Sequence, residues 1–281
     1  MIVSVHGAEL FYSTSGPHGN GGPERPVCLV LSAIGTLPYE RQMLPPLRDA
    51  LQLVFVDLRG GGRSTGEPAD LTFDVLATDL EAVRVDLGVA RIAVLGHSIL
   101  GMLAIEYGRR CPETVSHVIT AGASPTGDMA HVAAAAGAFF QVDASEERKQ
   151  ILHDNLARLG PGAAPGQTML AQTPARFFDP RFDSAPLFAG AVYKPRLLQQ
   201  AMGTLSLGWD VTVGASSLRV PLFLAHGRYD YIVPYTLWEG LPERLPNATL
   251  QLFERSGHQP FFEEPDRFAA AVTDWLRRQD C

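Results

Sequence analysis

The fold is decided by the stretch VLGHSILG, residues 94–101. A buried-strand pattern, Ile92–Leu95, ends here, and a helical pattern, Ile99–Arg110, begins directly after Ser98. So sharp a strand-to-helix turn holds its central residue in a strained backbone conformation and lifts that side chain out at the strand end. The turn also aims the backbone N–H of Ile99 at the space beside the hydroxyl, as one oxyanion donor. Taken alone, Ser98 fits a nucleophile or an ordinary helix N-cap equally well.

Strands and helices alternate on both sides of this stretch. Residues 2–12 alternate like a β-hairpin, and a Gly- and Pro-rich loop follows at Gly16–Pro26. Apolar runs typical of strands buried on both faces occur at Val27–Leu31, Leu51–Val56, Ile92–Leu95, Val115–Ile119, Leu222–Ala225 and Leu250–Phe253. Helical patterns occur at Tyr39–Leu51, Phe73–Leu87, Ile99–Arg110 and Pro265–Arg278. The alternation predicts an α/β fold, with a mostly parallel central sheet flanked by helices.

The alternation stops between residues 126 and 212, where the sequence is rich in Ala, Gly and Pro. Helical patterns occur near Ser145–Leu159 and Tyr193–Leu205, and Gly160–Pro174 is predicted to be a loop. We therefore predict one core, formed by residues 1–125 and 213–281, with residues 126–212 inserted as a mainly helical cap over the C-terminal edge of the sheet.

Two more reactive side chains follow predicted strands. Asp230 comes just after Leu222–Ala225, and His258 comes after Leu250–Phe253. Because parallel strands of an open α/β sheet end at one edge, Ser98, Asp230 and His258 are expected to meet there. Serine needs an imidazole to take its proton, and the carboxylate orients that imidazole. The chain order of nucleophile, acid and histidine favours a catalytic triad over three separate structural roles.

Several motifs together carry a family resemblance. They are DLRGGGRS (57–64), GHS (96–98), HGRYD (226–230), SGH (256–258) and FEEP (262–265). Through them the chain resembles the α/β-hydrolase family over nearly its whole length, and most of all its proline iminopeptidase-like and related small-molecule hydrolases. The resemblance implies the α/β-hydrolase fold, Ser98 as nucleophile, Asp230 as acid and His258 as base. It implies a structural role for the turn at residues 57–64.

The sequence departs from the family pattern at two places. Ser32-Ala33-Ile34-Gly35 replaces the family's His-Gly pair, so the second oxyanion donor would be the backbone N–H of Ile34. Leu100 stands where the family usually has the glycine that lets the helix pack closely on a strand, and Gly101 follows it. Loss of one oxyanion donor typically costs roughly 10²–10³ in rate.

A serine nucleophile attacks an acyl carbon, which predicts hydrolysis of an ester, lactone or amide through an acyl-enzyme. Aromatic residues of the cap suggest an apolar pocket for a small, largely apolar substrate; the candidates are Phe139, Phe140, Phe178 and Trp209. One alternative is a proline iminopeptidase-like aminopeptidase, which would need acidic cap residues to hold an amino group. The available acids are Asp128, Asp143, Glu146, Glu147 and Asp154. Another alternative is a non-hydrolytic member: a ligand-binding protein, or a lyase or cyclase.

The composition of the chain limits the classes of binding partner that can be expected. The chain has 281 residues and a formal net charge of −7, which disfavours binding to nucleic acid or to an anionic membrane surface. No signal peptide or membrane span is evident, so a cytoplasmic location is expected. A small molecule is the expected partner, and the sequence leaves both a monomer and a homo-oligomer open.

No metal or cofactor is predicted from the sequence. Three cysteines, Cys28, Cys111 and Cys281, show neither a disulfide framework nor zinc-ligand spacing. The chain contains no HExxH motif and no dinucleotide-binding glycine pattern. Satisfied hydrogen-bonding roles are predicted for His97, His117 and His226.

Overall fold

A computed structural model describes residues 1–15, 25–67 and 71–279. Most of the predicted loop at Gly16–Pro26, and Cys281, lie outside the described residues.

One eight-stranded sheet organises the chain. Its strands are β1 (Ile2–Val5), β2 (Ala8–Thr14), β3 (Val27–Ser32), β4 (Gln52–Asp57), β5 (Ile92–His97), β6 (Val115–Ala121), β7 (Leu222–Gly227) and β8 (Ala248–Phe253). The spatial order is β1-β2-β4-β3-β5-β6-β7-β8. The pairs β1–β2 and β2–β4 are antiparallel, and every later pair is parallel. The predicted α/β architecture is therefore confirmed.

The helices are α1 (Thr36–Gln42), α2 (Pro45–Ala50), α3 (Phe73–Asp86), α4 (Leu100–Arg110), α5 (Met129–Asp143), α6 (Glu146–Ala157), α7 (Pro165–Ala171), α8 (Thr173–Arg176), α9 (Ala185–Phe188), α10 (Pro195–Thr204), α11 (Pro260–Glu263) and α12 (Pro265–Gln279). Helices α3 and α4 pack on one face of this sheet, and α2 and α12 pack on the other. Short 3₁₀ turns occur at Ala215–Ser217, Tyr235–Trp238 and Pro242–Arg244.

The core consists of two apolar clusters separated by the sheet. Alternate residues of one strand belong to opposite clusters: Leu29 and Leu31 of β3 pack with α3 and α4, whereas Cys28 and Val30 pack with α2 and α12. All six residues of β3 are buried. This burial on both faces explains why the central strands are continuous apolar runs rather than alternating ones.

Two predictions of local structure are wrong, and both errors involve proline. The helical pattern predicted at Tyr39–Leu51, in which Pro45 and Pro46 limit where a helix can start, is two helices, because Leu44 before Pro45 is extended (φ −73°, ψ 166°) and Pro45 starts α2. The loop predicted at Gly160–Pro174 contains α7 and the start of α8. In each of these helices proline occupies the first turn, where it lacks only an N–H that would have no helical partner.

The two ends of the predicted cap lie side by side. Thr126 and Asp210 form an antiparallel bridge. Gly127 N donates to Trp209 O over 2.7 Å, and Val211 N donates to Pro125 O over 2.9 Å. The chain segments at the two ends of residues 126–212 are therefore adjacent, and the division into core and cap stays a prediction.

Candidate active site

Ser98 has the strained backbone predicted for it. Its φ is +57°, in the left-handed region that favours glycine. Its N–H donates to Ala121 O (2.9 Å), and its carbonyl accepts from Gly101 N (2.9 Å) as α4 begins. The turn needs glycine at position 96, because a Cβ there would lie 2.2 Å from Leu100 O. Strand, turn and helix therefore hold Ser98 at the C-terminal end of β5.

Asp230 and His258 form a buried pair at the same edge of the sheet. His258 Nδ1 lies 2.7 Å from Asp230 Oδ2, and both side chains are fully buried. Asp230 Oδ1 accepts the N–H groups of Ile232 and Val233, each at 2.9 Å. Because the carboxylate accepts, Nδ1 carries the proton of the neutral imidazole, which leaves Nε2 with a lone pair.

Residues on either side of the turn join Ser98 to this pair. His97 Nε2 donates to the carbonyl of His258 over 2.9 Å, and the two imidazole rings are 4.6 Å apart. On the other side, Ser98 N donates a hydrogen bond to Ala121 O. The residue after Ala121, Gly122, lies directly beside the Asp230–His258 pair. His258 Nε2 is buried without a hydrogen-bond partner, so its bond to Ser98 Oγ is not formed in this structure. Such catalytic bonds commonly tighten only when substrate is present.

The sequence did not single out Gly122, although it follows β6 directly. Its φ is +56°, and a Cβ there would lie 2.8 Å from His258 Nδ1 and 3.1 Å from Asp230 Oδ2. Any side chain at this position would therefore displace the pair. A glycine at the C-terminal end of a central strand is the signal by which the sequence could have indicated this position.

His97 has the satisfied hydrogen-bonding role predicted for it. Because Nε2 must donate to the His258 carbonyl, Nδ1 accepts from the hydroxyl of Tyr39 over 3.0 Å. Burial, reinforced by the charge of His258, holds the pKa of His97 well below its usual value. His97 therefore stays neutral and fixes the backbone of His258.

His226 does not have the role predicted for it. It is fully buried, and neither ring nitrogen has a hydrogen-bond partner. Its ring packs against Trp238, with 5.8 Å between ring centroids. Burial lowers its pKa to about 4.

The two predicted oxyanion donors lie on different loops. Ile99 follows Ser98 at φ −56° and ψ −29°, at the N-terminus of α4. Ile34 N donates to Ser32 Oγ over 3.2 Å, while that hydroxyl donates to Gly35 O over 2.7 Å. Ser32 therefore stabilises the loop that replaces the family's His-Gly pair, and it also occupies the N–H of Ile34.

Ser98, Asp230 and His258 all follow strands at the C-terminal edge of a mostly parallel sheet. The model of the alpha/beta hydrolase fold matches residues 17–265. The chain belongs to the α/β-hydrolase family.

Relatives of this α/β-hydrolase extend over most of its length. YclE, an AB hydrolase superfamily protein of Bacillus subtilis (strain 168), is 28% identical over 264 residues, covering 91% of this chain and 92% of YclE. RutD of Pseudomonas syringae pv. syringae (strain B728a), provisionally named a carbamate hydrolase, is 30% identical over 240 residues, covering 83% and 85%. The solved proline iminopeptidase of Mycobacterium smegmatis superposes with a TM-score of 0.71 at 21% identity, covering 100% and 98%. The predicted resemblance is confirmed.

Gly101 performs the packing role for which the family usually has a glycine at the position of Leu100. A Cβ on Gly101 would lie 2.3 Å from Ala123 Cβ, so this glycine lets α4 approach the chain just after β6. Leu100 is 4% exposed and packs in the larger of the two apolar clusters. The departure at Leu100 is thus accommodated by a one-residue shift in the glycine.

The four aromatic residues predicted to line a pocket have packing partners of their own. Phe139 and Phe140 pack on Tyr231, with ring centroids 5.4 and 5.1 Å away. Phe178 packs edge-on against Tyr229 at 4.9 Å. Trp209 Nε1 donates to Glu106 Oε1 over 2.9 Å, and the indole belongs to the same apolar cluster as α4. A pocket-lining role for these four stays a prediction.

Glu263, in the FEEP motif, connects the predicted cap to the loop that carries His258. Its Oε1 accepts from Phe178 N over 2.6 Å, and Oε2 accepts from Gly257 N over 2.8 Å. Burial raises its pKa to about 8, although these backbone donors act in the opposite direction. One carboxyl group therefore joins residue 178 of the predicted cap to the residue before His258.

The described residues contain no group of three or more His, Cys, Asp or Glu side chains arranged to hold a metal ion. No helix among them combines the length and apolar character needed to cross a membrane.

Proposed function

We propose that this α/β-hydrolase cleaves an ester, lactone or amide bond of a small substrate through an acyl-enzyme on Ser98. The observation that carries the proposal is the 2.7 Å bond between Asp230 and His258 beside a serine held at φ +57°. RutD, the relative provisionally named a carbamate hydrolase, supports attack at an acyl carbon.

In the proposed mechanism, Ser98 Oγ attacks the acyl carbon while His258 Nε2 takes the hydroxyl proton. Asp230 keeps the imidazole in the tautomer with its proton on Nδ1 and stabilises the imidazolium that forms. His258 then gives its proton to the leaving group, and the acyl group remains on Oγ. Water, deprotonated by the same imidazole, hydrolyses this acyl-enzyme and restores Ser98.

The tetrahedral intermediate needs donors for its oxyanion. Ile99 N–H, at the start of α4, supplies one of them. Ile34 N–H would supply the second after exchanging its 3.2 Å bond to Ser32 Oγ for a bond to the oxyanion. This exchange adds a cost that an unoccupied donor would not have.

The aminopeptidase alternative is disfavoured by the contacts of the five candidate acids. Each already has a partner: Asp128 accepts from His131 N, Asp143 from Arg228 and Tyr231, Glu146 from Lys149, Glu147 from Arg181, and Asp154 from Gln150. The charged cap side chain in electrostatic contact with Asp230 is instead Arg176, which would repel a free amino group.

A fluorophosphonate probe tests the nucleophile. The wild-type protein is expected to be labelled, and Ser98→Ala is expected to remain unlabelled. Ser217→Ala is the matched control, because Ser217 lies on an exposed turn and donates to Gly214 O. Labelling of Ser98→Ala at the wild-type level would refute the proposal.

Product analysis separates hydrolysis from the non-hydrolytic alternatives. In ¹⁸O-labelled water, one labelled oxygen is expected in the released acid, because water clears the acyl-enzyme. Product release without the label would instead favour a lyase or cyclase. A comparison of 4-nitrophenyl esters with prolyl amides decides between esterase and aminopeptidase activity.

A further inference from the structure

Arg176 brings an unpaired guanidinium group to the catalytic edge of the sheet. The residue ends α8, and its carbonyl accepts from His258 N over 2.6 Å. Its Nη2 donates to Gln172 Oε1 over a long 3.3 Å, and its Nε is buried without a partner. In the described part of the chain, no carboxylate forms an ion pair with this guanidinium.

The guanidinium group of Arg176 interacts electrostatically with Asp230 and with three other ionisable side chains. Burial lowers the pKa of Arg176, and the neighbouring charge of Asp230 acts to raise it. In turn, the charge of Arg176 acts to lower the pKa of His97, Tyr39 and Tyr193. The guanidinium therefore lies within electrostatic range of Asp230, His97 and Tyr39, and the Arg176 carbonyl holds the backbone of His258.

The segment that carries Arg176, residues 173–178, is fixed in place. Its hydrogen bonds run from Arg148 to the carbonyls of Pro174, Phe177 and Phe178, from Tyr231 N to Ala175 O (3.1 Å), and from Phe178 N to Glu263 Oε1 (2.6 Å). Because the backbone of this segment is already ordered, binding of a ligand to Arg176 would not lose conformational entropy by ordering it.

We propose that Arg176 binds a carboxylate on the substrate, so that the natural substrate carries a negative charge on its acyl part or on its leaving group. A guanidinium has five N–H donors in a planar fork that matches a carboxylate in two parallel hydrogen bonds. A partly buried cation without an acidic partner is costly, and an anionic substrate group removes that cost. This proposal rests on the acyl-transfer function proposed above.

Binding to Ser98→Ala tests the proposal independently of turnover. Two pairs of esters each compare a carboxylate with a neutral group at the same position: the mono-4-nitrophenyl ester of adipic acid against 4-nitrophenyl hexanoate, and 4-acetoxybenzoate against its methyl ester. In at least one pair the charged member is expected to bind about tenfold to a hundredfold more tightly. Equal affinity within both pairs would overturn the proposal.

Variants in the Ser98→Ala background assign the preference to one residue. Arg176→Gln is expected to abolish the ratio of charged to neutral affinity, and Arg176→Lys to restore part of it, because lysine keeps the charge but lacks the fork. Arg196→Gln is the matched control, since it removes the same charge from an exposed position on α10. A ratio that persists in Arg176→Gln, or that falls equally in Arg196→Gln, would contradict the assignment.

Failure of this proposal is distinguishable from failure of the proposed function. If fluorophosphonate labels Ser98 and neutral esters are hydrolysed without any preference for charge, only the role of Arg176 is wrong. If Ser98→Ala prefers the charged esters through Arg176 but wild type is never labelled, the anion site stands and the hydrolase mechanism does not.

Discussion

Ser98 has a strained backbone conformation, and the proposed role of its hydroxyl group gives a reason for that strain. A non-glycine residue at φ +57° is strained by roughly 1–2 kcal/mol, and such strain persists where the surrounding structure enforces it. Here the 2.9 Å bonds to Ala121 O and from Gly101 N enforce it from both sides. The residue is therefore expected to reduce stability at the position of the proposed nucleophile.

Two substitutions separate the hydroxyl from the strain. Ser98→Ala and Ser98→Gly both remove Oγ, but only glycine relieves the left-handed conformation. We expect Ser98→Gly to be more stable than Ser98→Ala by up to about 1 kcal/mol, after the greater freedom of glycine in the unfolded chain is subtracted. Urea unfolding of both variants measures this difference. Equal stability, or a more stable alanine variant, would mean that the strain at Ser98 does not exceed the entropic cost of glycine in the unfolded chain.

At the level of elements, the contact between α4 and the chain just after β6 determines how closely α4 packs behind Ser98. Gly101 lies against Ala123 at a distance that leaves no room for a Cβ. The consequence is that α4 can start directly behind Ser98, with its N-terminus at the proposed oxyanion position.

Substitution of two helical glycines tests this contact. Gly101→Ala is expected to lower the free energy of unfolding by about 1–3 kcal/mol, because the new methyl group would lie 2.3 Å from Ala123 Cβ. Gly137→Ala, in α5, is the matched control, since nothing lies within 4 Å of its added Cβ. The control is expected to gain up to about 1 kcal/mol from helix propensity. Thermal unfolding measures both, and similar shifts in the two would refute close packing at Gly101.

The accuracy of the sequence-based predictions differs between elements for physical reasons. Strands such as β3 were predictable because burial on both faces requires a continuous apolar run, which few other structures show. α5 was missed, since its Ala-rich sequence carries a weak apolar stripe and only Val132 and Ala136 are buried. α7 was missed because Pro165 signals a break and a helix start equally well.

Parts of the candidate site lie beyond what local sequence can indicate. Asp230 and His258 follow strand patterns, so the edge where they meet was predictable. Arg176 belongs to the predicted cap and reaches His258 only through backbone contacts between residues 82 positions apart. No local pattern encodes such a contact, because it depends on how the 173–178 segment packs against the core.

At the scale of the whole molecule, the buried tie formed by Glu263 makes stability depend on pH. Burial raises the pKa of Glu263 from 4.5 to about 8, so folding favours the protonated carboxyl group. The contribution of Glu263 to stability is full below pH 4.5 and is lost as the pH rises through 8, with a slope of up to about 1.4 kcal/mol per pH unit.

We expect Glu263→Gln to flatten the loss of unfolding free energy between pH 4.5 and 8 in urea titrations. Glu239→Gln is the control, because Glu239 is exposed and lies outside the predicted cap. Equal slopes in wild type and Glu263→Gln would contradict the assignment to Glu263.

His226 makes stability depend on pH in the opposite direction, because its contribution is lost as the pH falls. Its pKa is lowered from 6.5 to about 4 by burial, with the nearby charge of His258 acting in the same direction and Asp230 against it. For a base with a depressed pKa, the contribution to stability is full above pH 6.5 and is lost as the pH falls through 4. The slope reaches about 1.4 kcal/mol per pH unit, because the unfolded chain takes up a proton that the folded chain refuses.

Replacement of His226 by a group that does not titrate isolates this effect from every other titrating side chain. His226→Phe keeps a ring against Trp238, and His226→Gln serves as a second variant if the larger ring is not accommodated. Relative to wild type, each variant is expected to become progressively more stable as the pH falls from 6.5 to 4, whatever its stability at pH 7. Urea unfolding across that range measures the difference between the proteins rather than the absolute curve. A constant difference would show that His226 is protonated equally in the folded and unfolded chains, and that its buried ring therefore has access to a proton acceptor or to water.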